Sequence, residues 1–309
     1  MTPSPSRSWL PLAAVALTLV LWASAFVAIR HLGRDFSPGA LSLGRLLVGA
    51  ACLAVVALSR GVPRLSRGDL VTIGVIGLLW FGVYNVALNE GERRVDAGTA
   101  AMLIQVSPVL IALMAALFLS ERFTIYLALG LGLAFSGVAV IAFSTSPGGN
   151  SDVVGVLLCL LSAVVYSISL VLQKPLVGRL SAVHVTWLAC TVGAVVCLPF
   201  AGMLVSESAA APASSLWWLV YLGVFPTAIA FTTYAYALQH MSASSLGVTT
   251  YLVPPITIVL GLVFLGEAPP TMAYAGGALA LVGVAVARRK PRPPAAADDN
   301  PPQAAMLTR

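Results

Sequence analysis

The sequence predicts an all-α integral membrane protein, with ten transmembrane helices arranged as two inverted five-helix repeats. Three observations carry this. The chain of 309 residues is 59% hydrophobic and only 9% charged, whereas about a quarter of a soluble domain is charged. Its apolar residues fall into ten runs of about 20, the length of a helix that crosses a bilayer. Parts of the second half also repeat the first at a nearly constant offset.

The predicted spans are 9–29, 36–59, 70–91, 95–119, 124–143, 152–173, 181–204, 215–239, 243–265 and 270–287. The first run is too long for the apolar core of a signal peptide, and nine more follow it. Glycine and proline inside the runs are tolerable, because neighbouring helices satisfy the backbone groups they free. Residues 1–8 form a short N-terminal segment and 144–151 a linker. The tail 288–309 starts basic and turns Pro- and Ala-rich, a composition that predicts disorder.

Charge sets the orientation. With the N-terminus in the cytoplasm, the cytoplasmic segments hold twelve basic residues, Arg64, Lys174 and Arg179 among them. The outer loops hold four: Arg30, Arg34, Arg93 and Arg94. The positive-inside rule therefore places both termini in the cytoplasm. That bias accounts for the net charge of +6 without a nucleic-acid partner. The expected partners are the lipid bilayer and a small-molecule substrate. Cys52, Cys159, Cys190 and Cys197 all lie in apolar runs and read as small core residues rather than a disulfide framework.

The repeat is clearest in two stretches. Residues 108–121 read PVLIALMAALFLSE and residues 254–267 read PPITIVLGLVFLGE, an offset of 146. Ala97 matches Ala243 and Gly137 matches Gly283 at the same offset, while Tyr84 matches Tyr234 at 150. Trp22 and Arg30 match Tyr166 and Lys174 at 144, a weaker pairing. Five spans per half is an odd number, so the halves must insert in opposite orientations, a recurrent plan of secondary transporters.

On these residues the sequence resembles a known family. Trp22-Ala-Ser-Ala-Phe26 in the first span, Arg45 in the second, the two Pro…Glu stretches and the tails at Gly137 and Gly283 are similar to two EamA domains of the drug/metabolite transporter superfamily. One copy covers 9–143 and the other 152–287. The resemblance implies a ten-helix, exporter-type carrier of the inner membrane with a cavity between its halves. It leaves the substrate open, since the family spans amino acids, metabolites and drugs.

Pro108, Pro254 and Pro255 each remove an intrahelical bond, freeing the carbonyls of Ile104, Thr250 and Tyr251. Discontinuous helices near the midplane are where transporters bind substrate. Gln105 and Tyr251 stand at equivalent positions one turn before the prolines. Together with Trp22, Phe26, Trp80, Tyr84, Tyr166 and Tyr234 they form the expected substrate cavity, apolar with a few directed polar groups. For any one aromatic, packing alone is the simpler account. Arg45 is the lone basic residue deep in a span. A charge there needs a partner, water or a route to the interface, which a structural contact or a substrate carboxylate would supply.

Glu121 and Glu267 each end one span just before the next. They read as hairpin caps copied with the fold, or as gate residues, one per face. No Asp or Glu lies near the centre of a span, Glu90 and Glu92 being at an outer end. No Walker loop, nucleophile elbow or metal-spaced His/Cys cluster occurs. No cofactor, metal or catalytic residue is assigned, and the chain is not read as an enzyme. The expected function is alternating-access transport, with export favoured, of small apolar, aromatic or amino-acid-like metabolites or drugs. A lipid-linked or nucleotide-sugar carrier is the alternative within transport, although Arg45 alone offers little for phosphates. A membrane-embedded transferase is the alternative of another class, and it would need acids or histidines clustered at one interface.

Overall fold

The computed structural model describes residues 9–61, 63–118, 125–144, 152–287 and 289. Glu121 lies outside the described residues, as do 1–8, 145–151 and 290–309. The described residues contain helices and no strand.

The first half opens with α1 (Leu10–Leu32) and α2 (Pro38–Ser59). Both carry a proline in the first turn, where the missing N–H has no intrahelical partner to lose. Next, α3 (Arg67–Ile76) runs through a π-helical turn, Gly77–Val83, into α4 (Tyr84–Arg94). A reciprocal cap starts α3: Ser66 Oγ accepts from the Asp69 N–H at 3.1 Å, and Asp69 Oδ2 accepts from the Ser66 N–H at 3.0 Å. Then come α5 (Ala97–Ile104), capped by Asp96, α6 (Ser107–Phe118) and α7 (Ile125–Ser144).

The second half runs α8 (Val153–Val177), α9 (Ala182–Val196), α10 (Ala201–Ala210) and α11 (Ala213–Leu222). A second π-helical turn, Gly223–Ile229, leads into α12 (Ala230–His240). The chain continues with α13 (Ala243–Thr249), a 3-10 turn at Thr250–Leu252, α14 (Val253–Phe264) and α15 (Thr271–Ala287).

Five helical stretches are long and apolar enough to cross a membrane: Leu10–Leu32, Pro38–Ser59, Arg67–Arg94, Val153–Val177 and Ala213–His240. The pair Ala182–Val196 and Leu198–Ala210 forms a sixth if it is taken as one span, bent by 53°. Shorter apolar helices occupy the other four predicted spans. The run expected as one span at 181–204 is broken by this bend. Pro199, just past the break, has no N–H and its ring clashes with the carbonyl four residues back.

The two halves depart from α-geometry at matching places. The π-helical turns begin at Gly77 and Gly223, 146 residues apart. The fourth helix of each half is interrupted, after Ile104 in one and at Thr250–Leu252 in the other, again 146 apart. Small residues bring helices close. A Cβ on Gly137 in α7 would collide with the Gly276 carbonyl of α15, and one on Gly193 in α9 with Phe81. Such sites hold helices together by backbone proximity, since lipid offers no hydrophobic driving force between them.

Polar contacts gather at two ends of the bundle. At one end, Glu207 Oε2 accepts from the Ser37 N–H and Oγ at 2.9 and 3.1 Å, and Ser215 Oγ donates to Asp35 at 2.6 Å. At the other, Arg179 pairs with Asp69 at 2.6 Å. There His184 Nε2 also lies 3.1 and 2.8 Å from the carbonyls of Ala57 and Gly61. Gly61 holds φ at +78° past the end of α2, the left-handed cap that glycine adopts without a Cβ penalty. The flanks between these ends expose apolar side chains such as Val55, Val263 and Trp217, as lipid contact requires.

Candidate substrate chamber and vestibule

The chamber is built from α1 outward. Trp22, Phe26 and Ile29 stand at i, i+4 and i+7, one stripe of the helix. Trp80 faces them from the first π-helical turn, with Tyr84 and Leu88 one and two turns further along α4. Tyr166 of α8 and Phe231 of α12 close the other side, so both halves contribute walls. The remaining space is about 40 Å³, room for a few waters at most. Small-molecule sites typically offer roughly 300–1,000 Å³. The walls pack against one another and leave little room.

Ring contacts show how. Trp22 lies 4.6 Å from Tyr234 and 5.4 Å from Phe231, centroid to centroid. Trp80 lies 5.0 Å from Phe231 and 5.1 Å from Tyr166. The Tyr166 and Tyr234 hydroxyls share a hydrogen bond of 2.5 Å. Offset and edge-on contacts of this kind add about 0.5–1.5 kcal/mol each beyond burial.

Several polar groups enter this apolar box. Arg45 is 3% exposed and lines the chamber. Its Nε donates to Thr227 Oγ1 at 3.0 Å, its one hydrogen bond among the described residues. Thr227 sits in the second π-helical turn and itself donates to the Leu222 carbonyl, five residues back. The irregular turn thus aims a hydroxyl at Arg45. Across the chamber, Thr250 Oγ1 lies 3.2 Å from Gln105 Oε1. Trp22 Nε1 is buried without a hydrogen-bond partner among the described residues.

Of the residues the sequence singles out, Trp22, Phe26, Arg45, Trp80, Tyr84, Gln105 and Tyr166 meet at the chamber. Tyr234 is fully buried behind it, against Trp22, Trp80 and Tyr166. Tyr251 is half-buried and does not line it. The 3-10 turn at Thr250–Leu252 winds more tightly than an α-helix, and Thr250, not Tyr251, meets Gln105. Pro108 and Pro254 sit in the first turns of α6 and α14, just past the two interruptions. Pro254 and Pro255 line a side recess of about 190 Å³ that Gln105 shares. The Ile104 carbonyl, expected to be free for a ligand, instead accepts from Ser107 Oγ at 2.6 Å.

Beyond Ile29 lies a polar vestibule of about 270 Å³. Ile29, 2% exposed, lines both spaces. Arg30 Nε spans the Glu267 carboxylate at 3.0 and 3.2 Å, while its Nη1 donates to the Glu92 carbonyl at 2.8 Å. One guanidinium thus ties α1, the end of α4 and the turn after α14. Its sequence counterpart Lys174 does a similar job in the second half, donating to the carbonyls of Leu238 and Met241 at 2.6 and 2.7 Å. In both halves a cation at the end of the first helix closes the last carbonyls of the third, where the helix dipole favours positive charge.

Ile29, Glu92, Thr227, Phe231 and Thr250 were not singled out as site residues. Phe231 had a signal, since it matches Phe81 at the offset of 150 that pairs Tyr84 with Tyr234, and the two phenyl rings lie 4.7 Å apart.

Apolar helices of spanning length, matched irregularities in two halves and a closed chamber between them define a multi-pass membrane transporter. The EamA-like transporter family model matches residues 9–143 and again 153–289, and the chain belongs to that family. It is 40% identical to a Streptantibioticus cattleyicolor protein named "Probable terminal-alkyne amino-acid exporter", over 90% of this chain and 93% of that one. It is 31% identical to "Uncharacterized transporter YdfC" of Bacillus subtilis, over 87% and 88%. A crystal structure aligns with 92% of this chain and 98% of its own at a TM-score of 0.66 and 23% identity, a likeness of fold.

Proposed function

We propose that this chain exports small amino-acid-like metabolites with a slim apolar or aromatic side chain, by alternating access through the chamber around Trp22 and Arg45. The observation that carries this is Arg45: a guanidinium buried beside an aromatic box, with only Nε engaged among the described residues. Its terminal nitrogens suit a carboxylate, which guanidinium binds in fork geometry. Trp22 Nε1 offers a further donor, and the rings give flat walls for the side chain. The amino-acid exporter among the relatives supports the same substrate class.

Transport proceeds through ten spans in two inverted halves of the inner membrane, with both termini in the cytoplasm. The odd span number per half and the excess of basic residues on one side support this arrangement. The tightly packed chamber is the occluded intermediate. Parting of Arg30 from Glu267 opens it to the vestibule, and rearrangement around Lys174 opens it to the opposite end.

Two experiments test the proposal. In liposomes, purified protein should carry radiolabelled neutral L-amino acids and leave cationic dyes behind; dye flux without amino-acid flux would overturn the substrate class. In intact cells, a cysteine at Glu207 should react with an impermeant maleimide, and one at Arg64 only after permeabilisation. The reverse pattern would overturn the orientation.

A further inference from the structure

We propose that Glu92 is a proton-binding site and that its protonation lets the vestibule close. Glu92 is 1% exposed, and neither carboxylate oxygen has a hydrogen-bond partner among the described residues. An ionised carboxylate buried without donors is costly, whereas the protonated acid is far less so. The cation best placed to pair with it is already committed: Arg30 grips the Glu267 carboxylate and the Glu92 backbone carbonyl. The other ionisable groups around Glu92 are Arg34, Arg45, Arg93 and Asp96, with the Tyr84 hydroxyl on α4 and the Cys159 thiol on α8. Asp96 is used in capping α5, where its oxygens accept from the Thr99 N–H and hydroxyl.

The vestibule itself selects the ligand. A metal ion would need several oxygen donors, and no group of three acidic, His or Cys residues gathers here among those described. An ammonium would have to enter among three guanidiniums, those of Arg30, Arg34 and Arg93. A proton needs only the carboxylate. When the vestibule opens, water reaches Glu92, or Arg30 leaves Glu267 for it, and the proton departs. The closed form binds one more proton than the open form, so acid favours closure and rising pH favours opening. In the transport reading, this couples the vestibule gate to protons.

The test needs no substrate, so its failure is distinct from failure of the transport reading. Ile29→Cys, with the four native cysteines replaced, reports from a position that lines both vestibule and chamber. Its maleimide labelling rate in detergent is divided by that of the same protein unfolded at the same pH. The normalised rate should rise with pH, approaching about tenfold per unit where one proton governs closure. Glu92→Gln, which resembles the protonated acid, should stay slow at every pH. Glu92→Leu serves the same purpose if the glutamine variant does not fold. Replacing sodium by choline should change nothing. A flat wild-type profile, a profile that survives both Glu92 variants, or a sodium dependence would each overturn the proposal.

Discussion

Arg45→Gln is expected to leave the protein folded and to weaken binding of carboxylate-bearing substrates by roughly 10- to 150-fold. The size follows from the bond at stake. A hydrogen bond to a charged group contributes about 1.5–3 kcal/mol, and each ~1.4 kcal/mol is a factor of ten. Folding survives because Arg45 holds little else together: its one hydrogen bond among the described residues is to Thr227, whose hydroxyl keeps its own acceptor at Leu222. Glutamine still offers a donor there. Liposome flux and melting temperature, read together, separate the two roles. A variant that does not fold, with no carboxylate ligand able to rescue the wild type's advantage, would make Arg45 a structural residue.

Trp80→Ala is expected to have the largest effect on stability of any single chamber substitution. Trp80 is 1% exposed and touches Trp22, Phe81, Tyr166, Phe231 and Tyr234. Truncating a buried Trp costs about 3–5 kcal/mol, through lost transfer energy and the cavity left behind. Trp22→Ala should cost less, because Trp22 is only half-buried. This ordering is specific to the closed chamber. In an open cavity the wall residues would be loosely packed, and both substitutions would be mild. Thermal unfolding in detergent checks it, and a smaller loss for Trp80→Ala than for Trp22→Ala would contradict the packing described above.

The sequence and the structure agree where a single strong force acts along the chain. Lipid demands about 20 apolar residues per crossing, so the runs announce the helices. Pro199 was visible, yet the 53° bend it accompanies was not, since proline marks a break without stating its angle. The π-helical turn at Gly77 had no signal in GLLWFGV, whereas in GVFPTAI Pro226 marks a lost helical bond, though not the wider winding that follows from it. That winding nevertheless matters, for it carries Trp80 and Thr227 into the site.

The repeat pointed to Gln105, which lines the chamber. Its sequence equivalent, Tyr251, does not line the chamber, and Thr250, one residue earlier in the 3-10 turn, meets Gln105. Glu92 was passed over because depth was judged along its own helix, where it stands near the end. Its burial comes from neighbouring helices: α1 brings Ile29 and Arg30 over it, and α8 packs so closely that a Cβ on the adjacent Gly91 would meet Cys159 Sγ at 2.8 Å. Contacts between distant segments of this kind cannot be read from position in a span.

The central claim is that one chamber, with Arg45 as its anion site, holds the carboxylate of the transported molecule. Its most direct test compares propargylglycine, an amino acid with a terminal alkyne, with its methyl ester, which lacks the negative charge. Each is added at equal concentration to purified wild-type protein and to Arg45→Gln, and the shift in melting temperature is measured. The account predicts that the acid stabilises the wild type, that the ester does not, and that neither stabilises the variant. Equal stabilisation by acid and ester, in the wild type and the variant alike, would contradict it.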